Sequence, residues 1–169
     1  MKHHSPRTIA TLIGTTAVVA AVATAGAGTA DASASRHLPK IVDAWAAAWN
    51  GTAPGALGAL FTADGTYTDH GVGAVFHGSE GIAGWKAHAD DLIDGVHVTV
   101  RAAYRDGDHI TIEAVYAGHL KGAPHPFAVP MATLLDLRDP HQITSDQDFY
   151  SLTDVLAQSG LPAGWTPQH

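Results

Sequence analysis

The sequence predicts an α+β domain, and three observations carry that prediction. Apolar residues recur at helical spacing in three early segments, a period of two takes over after residue 95, and Gly, Pro and Asp-Gly turns punctuate the alternating half. The first helix spans Leu38 to Asn50. There Leu38, Ile41, Val42, Trp45, Ala48 and Trp49 share a face, Pro39 suits the first turn and Asn50-Gly51 is a stop signal. Pro54 to Phe61 fits a second, short helix with Leu57, Leu60 and Phe61 on one side. Ala63-Asp64-Gly65 turns the chain into a strand, Thr66 to His70, and Gly71 and Gly73 loosen the segment up to Phe76. Ser79 caps a third helix reaching Ile93, with Ile82, Trp85, Ala89 and Leu92 inward.

Alternation then sets Val96, Val98, Val100, Ala102 and Tyr104 against His97, Thr99, Arg101 and Ala103. Asp106-Gly107-Asp108 makes a hairpin turn into the strand His109–Gly118. A loop with Gly122, Pro124 and Pro126 precedes the strand Phe127–Leu137, and Asp139-Pro140 turns into Ile143–Tyr150. Leu152 to Gln158 is a short terminal helix ended by Gly160 and Pro162.

Composition excludes whole classes of function. Nine Lys and Arg against sixteen Asp and Glu, a net charge of −7, give no basic footprint for nucleic acid. The absence of cysteine removes disulfides, thiol nucleophiles, zinc ribbons and iron–sulfur clusters. His88 and Asp91 share a helix face, but no compact metal-ligand motif accompanies them, so no metal and no cofactor are expected. The N-terminus reads as a secretory signal over residues 1–34. Lys2 and Arg7 precede an uncharged Ala/Val/Thr-rich run from Thr8 to Ala30, and Ala32-Ser33-Ala34 offers an A-x-A cleavage site, with Ala30 as the second choice. A chain with this leader is secreted rather than held by a membrane anchor, because the run is poor in Leu and Phe and no basic stop-transfer cluster follows. Removing the leader leaves residues 35–169 as one domain.

The element order, together with several short motifs, resembles the SnoaL-like branch of the nuclear transport factor 2-like superfamily. The motifs are Val42-Asp43-Ala44-Trp45, Leu60-Phe61-Thr62-Ala63-Asp64-Gly65-Thr66-Tyr67-Thr68-Asp69, Phe76-His77-Gly78-Ser79-Glu80-Gly81-Ile82, Val129-Pro130-Met131-Ala132-Thr133, and Asp148-Phe149-Tyr150-Ser151-Leu152 with Gln158-Ser159-Gly160-Leu161. The resemblance covers residues 38–162. It implies a cone: a strongly curved mixed or antiparallel sheet wrapped around the N-terminal helices and enclosing a deep pocket. It also implies a homodimer formed through the outer sheet face. The superfamily holds polyketide cyclases, ketosteroid isomerases, dehydratases, an epoxide hydrolase and pockets without known chemistry, so activity must be argued from the site.

On the last strand, Thr144, Asp146, Asp148 and Tyr150 share one face, and Ile143, Ser145, Gln147 and Phe149 the other. Two carboxyls held close raise one pKa, which makes a general acid near neutral pH. Asp148 matches the first acid of the family's "D-Y-Y-D" ending, which the resemblance places in the pocket as an acid–base group; Ser151 replaces the second acid. Tyr67 and Asp69 share a face of the first strand and match a water-holding tyrosine and asparagine of limonene-type epoxide hydrolases. That enzyme's Arg–Asp relay falls on Ala114 and Tyr116, so epoxide hydrolysis is not expected. Cyclase, isomerase or dehydratase chemistry needs only a base, Asp148, and an enolate donor from Tyr67, Tyr116 or His119. Trp45, Trp49, Trp85, Phe127, Val129 and Met131 are the expected apolar lining, with Tyr116 and Asp146 as further ligand contacts. Export disfavours a cyclase acting on unstable intracellular intermediates. The sequence thus points to an exported pocket for a small apolar molecule, catalytic or purely binding, with a dimerising interaction domain as the other reading.

Overall fold

The computed structural model describes residues 38–166, and the expected leader lies outside the described residues. Helix α1, Lys40–Asn50, buries Ile41, Val42, Trp45, Ala48 and Trp49, the stripe that its periodicity requires. Pro39 sits just ahead of the helix, and its carbonyl accepts from the Val42 and Asp43 amides. Asn50 does more than stop the helix. Its side-chain amide donates to the Val98 carbonyl at 3.0 Å and accepts from the Val98 amide at 2.6 Å. A side chain thus pairs with a strand backbone, which ties α1 to the strand β3 (Ile93–Asp106).

Helix α2 covers only Pro54–Gly58, shorter than its apolar spacing suggests. Leu60 and Phe61 leave it to pair with the last strand: the Leu60 carbonyl accepts from the Ile143 amide, and Phe61 is in register with Ile143. Strand pairing overrides a helical pattern that was only two turns long. Helix α3, Gly78–Leu92, starts one residue before Ser79, which makes no cap. Gly78 stands at φ 68°, a conformation glycine takes without strain, and the Ser79 carbonyl lies against Gly58 of α2. A methyl added at Gly58 would meet that oxygen at 2.2 Å. Gly58→Ala is therefore expected to push α2 off α3 and cost about 1–3 kcal/mol. Calorimetry checks this; an unchanged melting temperature would mean that the two helices part freely.

The strands β1 (Phe61–Asp69), β2 (Ala74–His77), β3, β4 (His109–Leu120), β5 (Phe127–Asp139) and β6 (Gln142–Tyr150) form one curved, unclosed sheet in the order β2-β1-β6-β5-β4-β3. All neighbours are antiparallel except β1 and β6, which run parallel, so the sheet is mixed. Helix α4, Leu152–Ser159, is capped by the Ser151 hydroxyl, which accepts from the Asp154 amide, and ends at Gly160 with φ 75°. The residue that departs from the family's acidic pattern therefore serves as a helix cap. Among the described residues no helix is long and apolar enough to cross a membrane.

Two bulges correct the simple alternation. Val100 pairs with Ala114 but Ala102 pairs with Glu113, so Arg101 is an extra residue on β3. Ala102 and Tyr104 consequently turn to the outer face instead of continuing the inward row of Val96, Val98 and Val100. On β6, Ser145 pairs with Asp136 while Ile143 pairs with Leu137, which leaves Thr144 extra. Ile143 therefore faces inward and is fully buried, on the same side as Asp146 rather than opposite to it.

Candidate functional site

Beyond the Thr144 bulge, β6 alternates regularly and sends Asp146 and Asp148 inward, at 0% and 2% exposure. Strand β1 runs beside it in parallel register, Tyr67 against Asp146 and Asp69 against Asp148. Tyr67 and Asp69 also point inward, at 1% and 3% exposure. Three carboxyls and one phenol thus enter the concave side from two adjacent strands. Two readings of alternation in separate segments converge on this cluster.

The hydrogen bonds divide the three acids. Asp148 accepts from the Tyr67 hydroxyl at 2.6 Å and from the Thr133 hydroxyl. Asp146 accepts from the Trp45 indole at 2.8 Å, while its second oxygen is buried without a partner. Asp69 accepts from the Val72 amide at 3.0 Å and from the Tyr150 hydroxyl at 3.1 Å. Burial dominates all three titrations, because an ionised carboxylate loses water that these few donors do not replace. Asp148 is pushed up from 3.8 to about 7 by burial, against the Thr133 and Tyr67 hydroxyls, with Asp69 adding to the rise. Asp146 is held well above the carboxylate range by burial and then by the neighbouring Asp148, and its orphan oxygen suits a neutral acid. Burial also raises Asp69, opposed by its bonds to Val72 and Tyr150. Tyr67 is kept protonated by burial and by the acids around it, so it donates rather than accepts.

These groups face a small inner chamber, in which the space open to the centre of a water molecule is about 20 Å³. Trp49, Tyr67, Trp85, Tyr116 and Tyr150 supply five aromatic walls; Asp69 and Asp148 supply the charge, and Met131, Val98 and Ala89 complete the lining. The Trp49 and Tyr67 rings lie 5.9 Å apart, the Tyr116 and Tyr150 rings 5.2 Å apart, and Phe76 stacks behind Trp85 at 4.6 Å. Among the described residues no Lys, Arg or His lines the chamber. Lys86, the buried cation nearest to it on α3, is already paired with Asp90 at 2.6 Å and with the Gly51 carbonyl. A second cavity of about 260 Å³, measured in the same way, shares Trp85, Ala89, Tyr116 and Tyr150 with the chamber and is otherwise apolar save for Thr166, with Leu92, Ile93, Leu120, Phe127, Val155 and Leu156 among its walls.

Most of the residues expected at the site meet here: Tyr67, Asp69, Asp148, Trp49, Trp85, Tyr116 and Met131 line the chamber, and Phe127 lines the outer cavity. Four do not. Trp45, Val129 and Asp146 are fully buried and line neither space, and the Trp45 indole and the Asp146 carboxyl are instead bonded to each other. His119 is one residue out of phase with the inward-facing Tyr116 and Leu120; it pairs with Asp94, and its ring Nε2 donates to the Ala123 carbonyl at 2.8 Å. It is therefore no donor to the chamber. His70 is exposed and stacks on Phe149 at 4.1 Å outside the sheet. Thr133 and Tyr150 were missing from the expected set, although both had a signal. Thr133 is a hydroxyl in the inward row of Phe127, Val129, Met131 and Leu135, and Tyr150 shares the acid face of β6.

A family model for the SnoaL-like domain matches residues 42–145. The chain belongs to the SnoaL-like family. This SnoaL-like domain is 69% identical to a hypothetical protein of ketosteroid isomerase-like fold from Catenulispora acidiphila, solved in complex with trimethylamine; the match covers 76% of this chain and 98% of that one, with a TM-score of 0.75. A proposed SnoaL-like polyketide cyclase from Jannaschia sp. CCS1 is 19% identical over 73% of this chain and 91% of its own, with a TM-score of 0.64. An LEH-like epoxide hydrolase from M. tuberculosis is 18% identical over 71% and 86%, with a TM-score of 0.60. The last two likenesses concern the fold of the SnoaL-like domain and not its chemistry. No functionally curated protein matches the chain.

Proposed function

We propose that this SnoaL-like domain binds a small methylated amine or ammonium ion in its inner chamber. One observation carries the reading: buried carboxyls converge on a chamber walled by aromatic rings, and among the described residues no basic side chain of the lining neutralises them. Aromatic faces attract a desolvated cation, and methylated ammonium groups are the ligands for which such cages are built. The opposite charge then comes from Asp148 and Asp69, which have no cationic hydrogen-bond partner among the described residues. Treated as a sphere, the chamber admits a rounded group of roughly 3 Å radius once the water radius of ~1.4 Å is added. An ammonium with three or four methyl groups has that size. The trimethylamine held by the 69% identical relative supports the same class. Such a ligand is apolar in outline, as the lining leads one to expect, but it carries charge. The leader over residues 1–34 makes the site an extracytoplasmic one in this proposal, and the exposed Tyr104, Leu134 and Phe149 on the outer sheet face support a homodimer.

A second reading, acid–base turnover of a carbonyl compound, is favoured by the buried indole N–H groups of Trp49 and Trp85, which have no partner. Either one is a candidate donor to an enolate oxygen while Asp148 moves the proton.

Titration calorimetry with tetramethylammonium from pH 5 to pH 8 tests the first reading. A cation competes with the proton on Asp148, so affinity should rise up to tenfold per pH unit from that group and level off above about pH 7. The neutral isostere 3,3-dimethyl-1-butanol should bind far more weakly. Equal binding of the two, or affinity that falls as pH rises, overturns the reading. Binding seen only at crystallisation concentrations would make the relative's amine an adventitious additive.

A further inference from the structure

We infer that the natural occupant is an amphiphile, with its methylated ammonium head in the inner chamber and an unbranched hydrocarbon tail in the outer cavity. The inference rests on the ammonium reading above and extends it to the rest of the molecule. The two spaces adjoin. Trp85, Ala89, Tyr116 and Tyr150 line both, so a ligand seated against Asp148 and Asp69 has its free end at the Tyr116–Tyr150 wall and the larger cavity beyond. That cavity is some thirteen times roomier than the chamber, about 260 Å³ against 20 Å³. Its walls come from the end of α3, the starts of β3 and β5, and α4, and apart from the tyrosines, the tryptophan indoles and Thr166 they carry no polar side chain. A trimethylated amine alone leaves this apolar space unfilled; an alkyl chain would remove it from water. Val72 and Leu152, exposed at the rim, mark where the tail reaches solvent.

The same lining restricts the head. Betaine, carnitine esters and phosphocholine lipids place a negative group within a few bonds of the nitrogen. That group would sit beside Asp69, Asp148, Tyr116 and Tyr150, and among the described residues neither cavity offers a Lys, Arg or His to pair with it. Like charges at close range in a buried site are repelled. The class is therefore alkylammonium amphiphiles whose only charge is the head. Tyr150 stands at the junction, and its position depends on Gly71: a methyl there would meet the Tyr150 ring at 2.3 Å.

The test is a chain-length series on the unmodified protein: tetramethylammonium, then butyl-, hexyl-, octyl- and decyltrimethylammonium, each below its micelle concentration, measured by titration calorimetry at pH 8. Burying methylenes at ~0.8 kcal/mol each predicts affinity rising about fourfold per carbon until the cavity is filled. In Leu92→Trp, which narrows the outer cavity, the rise should stop at shorter chains. Decyl sulfate, with the same tail and the opposite charge, should bind at least ~100-fold more weakly than decyltrimethylammonium. If tetramethylammonium binds and affinity stays flat along the series, the tail assignment is wrong while the ammonium reading stands. If decyl sulfate binds as well as the cation, the head assignment fails and the ammonium reading fails with it.

Discussion

Asp148→Asn is expected to weaken tetramethylammonium binding at pH 8 by about 100-fold or more and to raise the melting temperature of the free protein at the same pH. The two effects share one cause. Asp148 is buried at 2% exposure with only the Tyr67 and Thr133 hydroxyls as partners. At pH 8 it is mostly a carboxylate, because burial places its pKa at about 7. Keeping it ionised there costs roughly 4 kcal/mol relative to the unfolded chain, at ~1.4 kcal/mol per pH unit. A bound cation uses that charge; the empty protein only carries its cost. The amide is nearly isosteric and can still accept from one hydroxyl, so it removes the charge without opening a cavity. Loss of one partner of a buried charge pair costs ~2–5 kcal/mol of binding, and 1.4 kcal/mol is tenfold in affinity. Relief of even ~1 kcal/mol in the free protein shifts the melting temperature upward by roughly 2–4 °C. Calorimetric titration and a thermal scan of the same sample check both. Binding within about tenfold of the unsubstituted protein would remove Asp148 from the counterion role.

The residues that would bind this cation were legible wherever alternation runs undisturbed. Tyr67 and Asp69 on β1, and Asp148 and Tyr150 on β6, are two residues apart in stretches with no bulge, so counting by two places them correctly. The same counting fails at Arg101 and Thr144, because a bulge is decided by the partner strand and leaves no mark in the strand that carries it. Parallel pairing of β1 with β6 brings residues 67 and 146 together across the middle of the chain, and nothing local to either segment announces it. Trp45 and Trp49 look alike in sequence, one helical turn apart on one face of α1. Only their tertiary partners separate them: Trp45 is bonded to Asp146 and lines neither cavity, whereas Trp49, a turn later, walls the chamber. The outer cavity was least legible of all. Its walls include Trp165 and residues of α4, drawn from a terminal segment whose composition predicts a short helix and no pocket.

Without ligand, the folded protein should be most stable in weak acid and lose stability as pH rises toward 8, the reverse of most acidic proteins. Asp148, Asp146 and Asp69 are all raised above 3.8 in the folded state, so the native form holds protons that the unfolded chain has released. The native state binding more protons makes the slope of stability against pH negative. For Asp148 that loss begins near pH 4 and is complete once pH passes about 7; for Asp146, held higher, it continues beyond. Each titrating group contributes up to ~1.4 kcal/mol per pH unit. The groups facing the cluster do not cancel this. Tyr67, Tyr116 and Tyr150 are raised further by burial and stay neutral throughout, and His70 favours the ionised acids only from the outer side of the sheet. Exposed Asp64, lowered by the nearby Thr62 side chain and its own backbone, acts in the opposite sense only in strong acid. The melting temperature should therefore fall by roughly 10 °C between pH 5 and pH 8, given a few kcal/mol and roughly 2–4 °C per kcal/mol. Saturating tetramethylammonium should flatten the fall, because a ligand that binds the ionised pocket stabilises by RT ln(1 + [L]/Kd) and binds more tightly as the protons leave. Asp148→Asn should shrink the slope in the free protein and abolish the flattening. A melting temperature that instead climbs from pH 5 to pH 8 in the free protein would mean the acids already have a positive partner, and the chamber would then have no vacancy for a cation to fill.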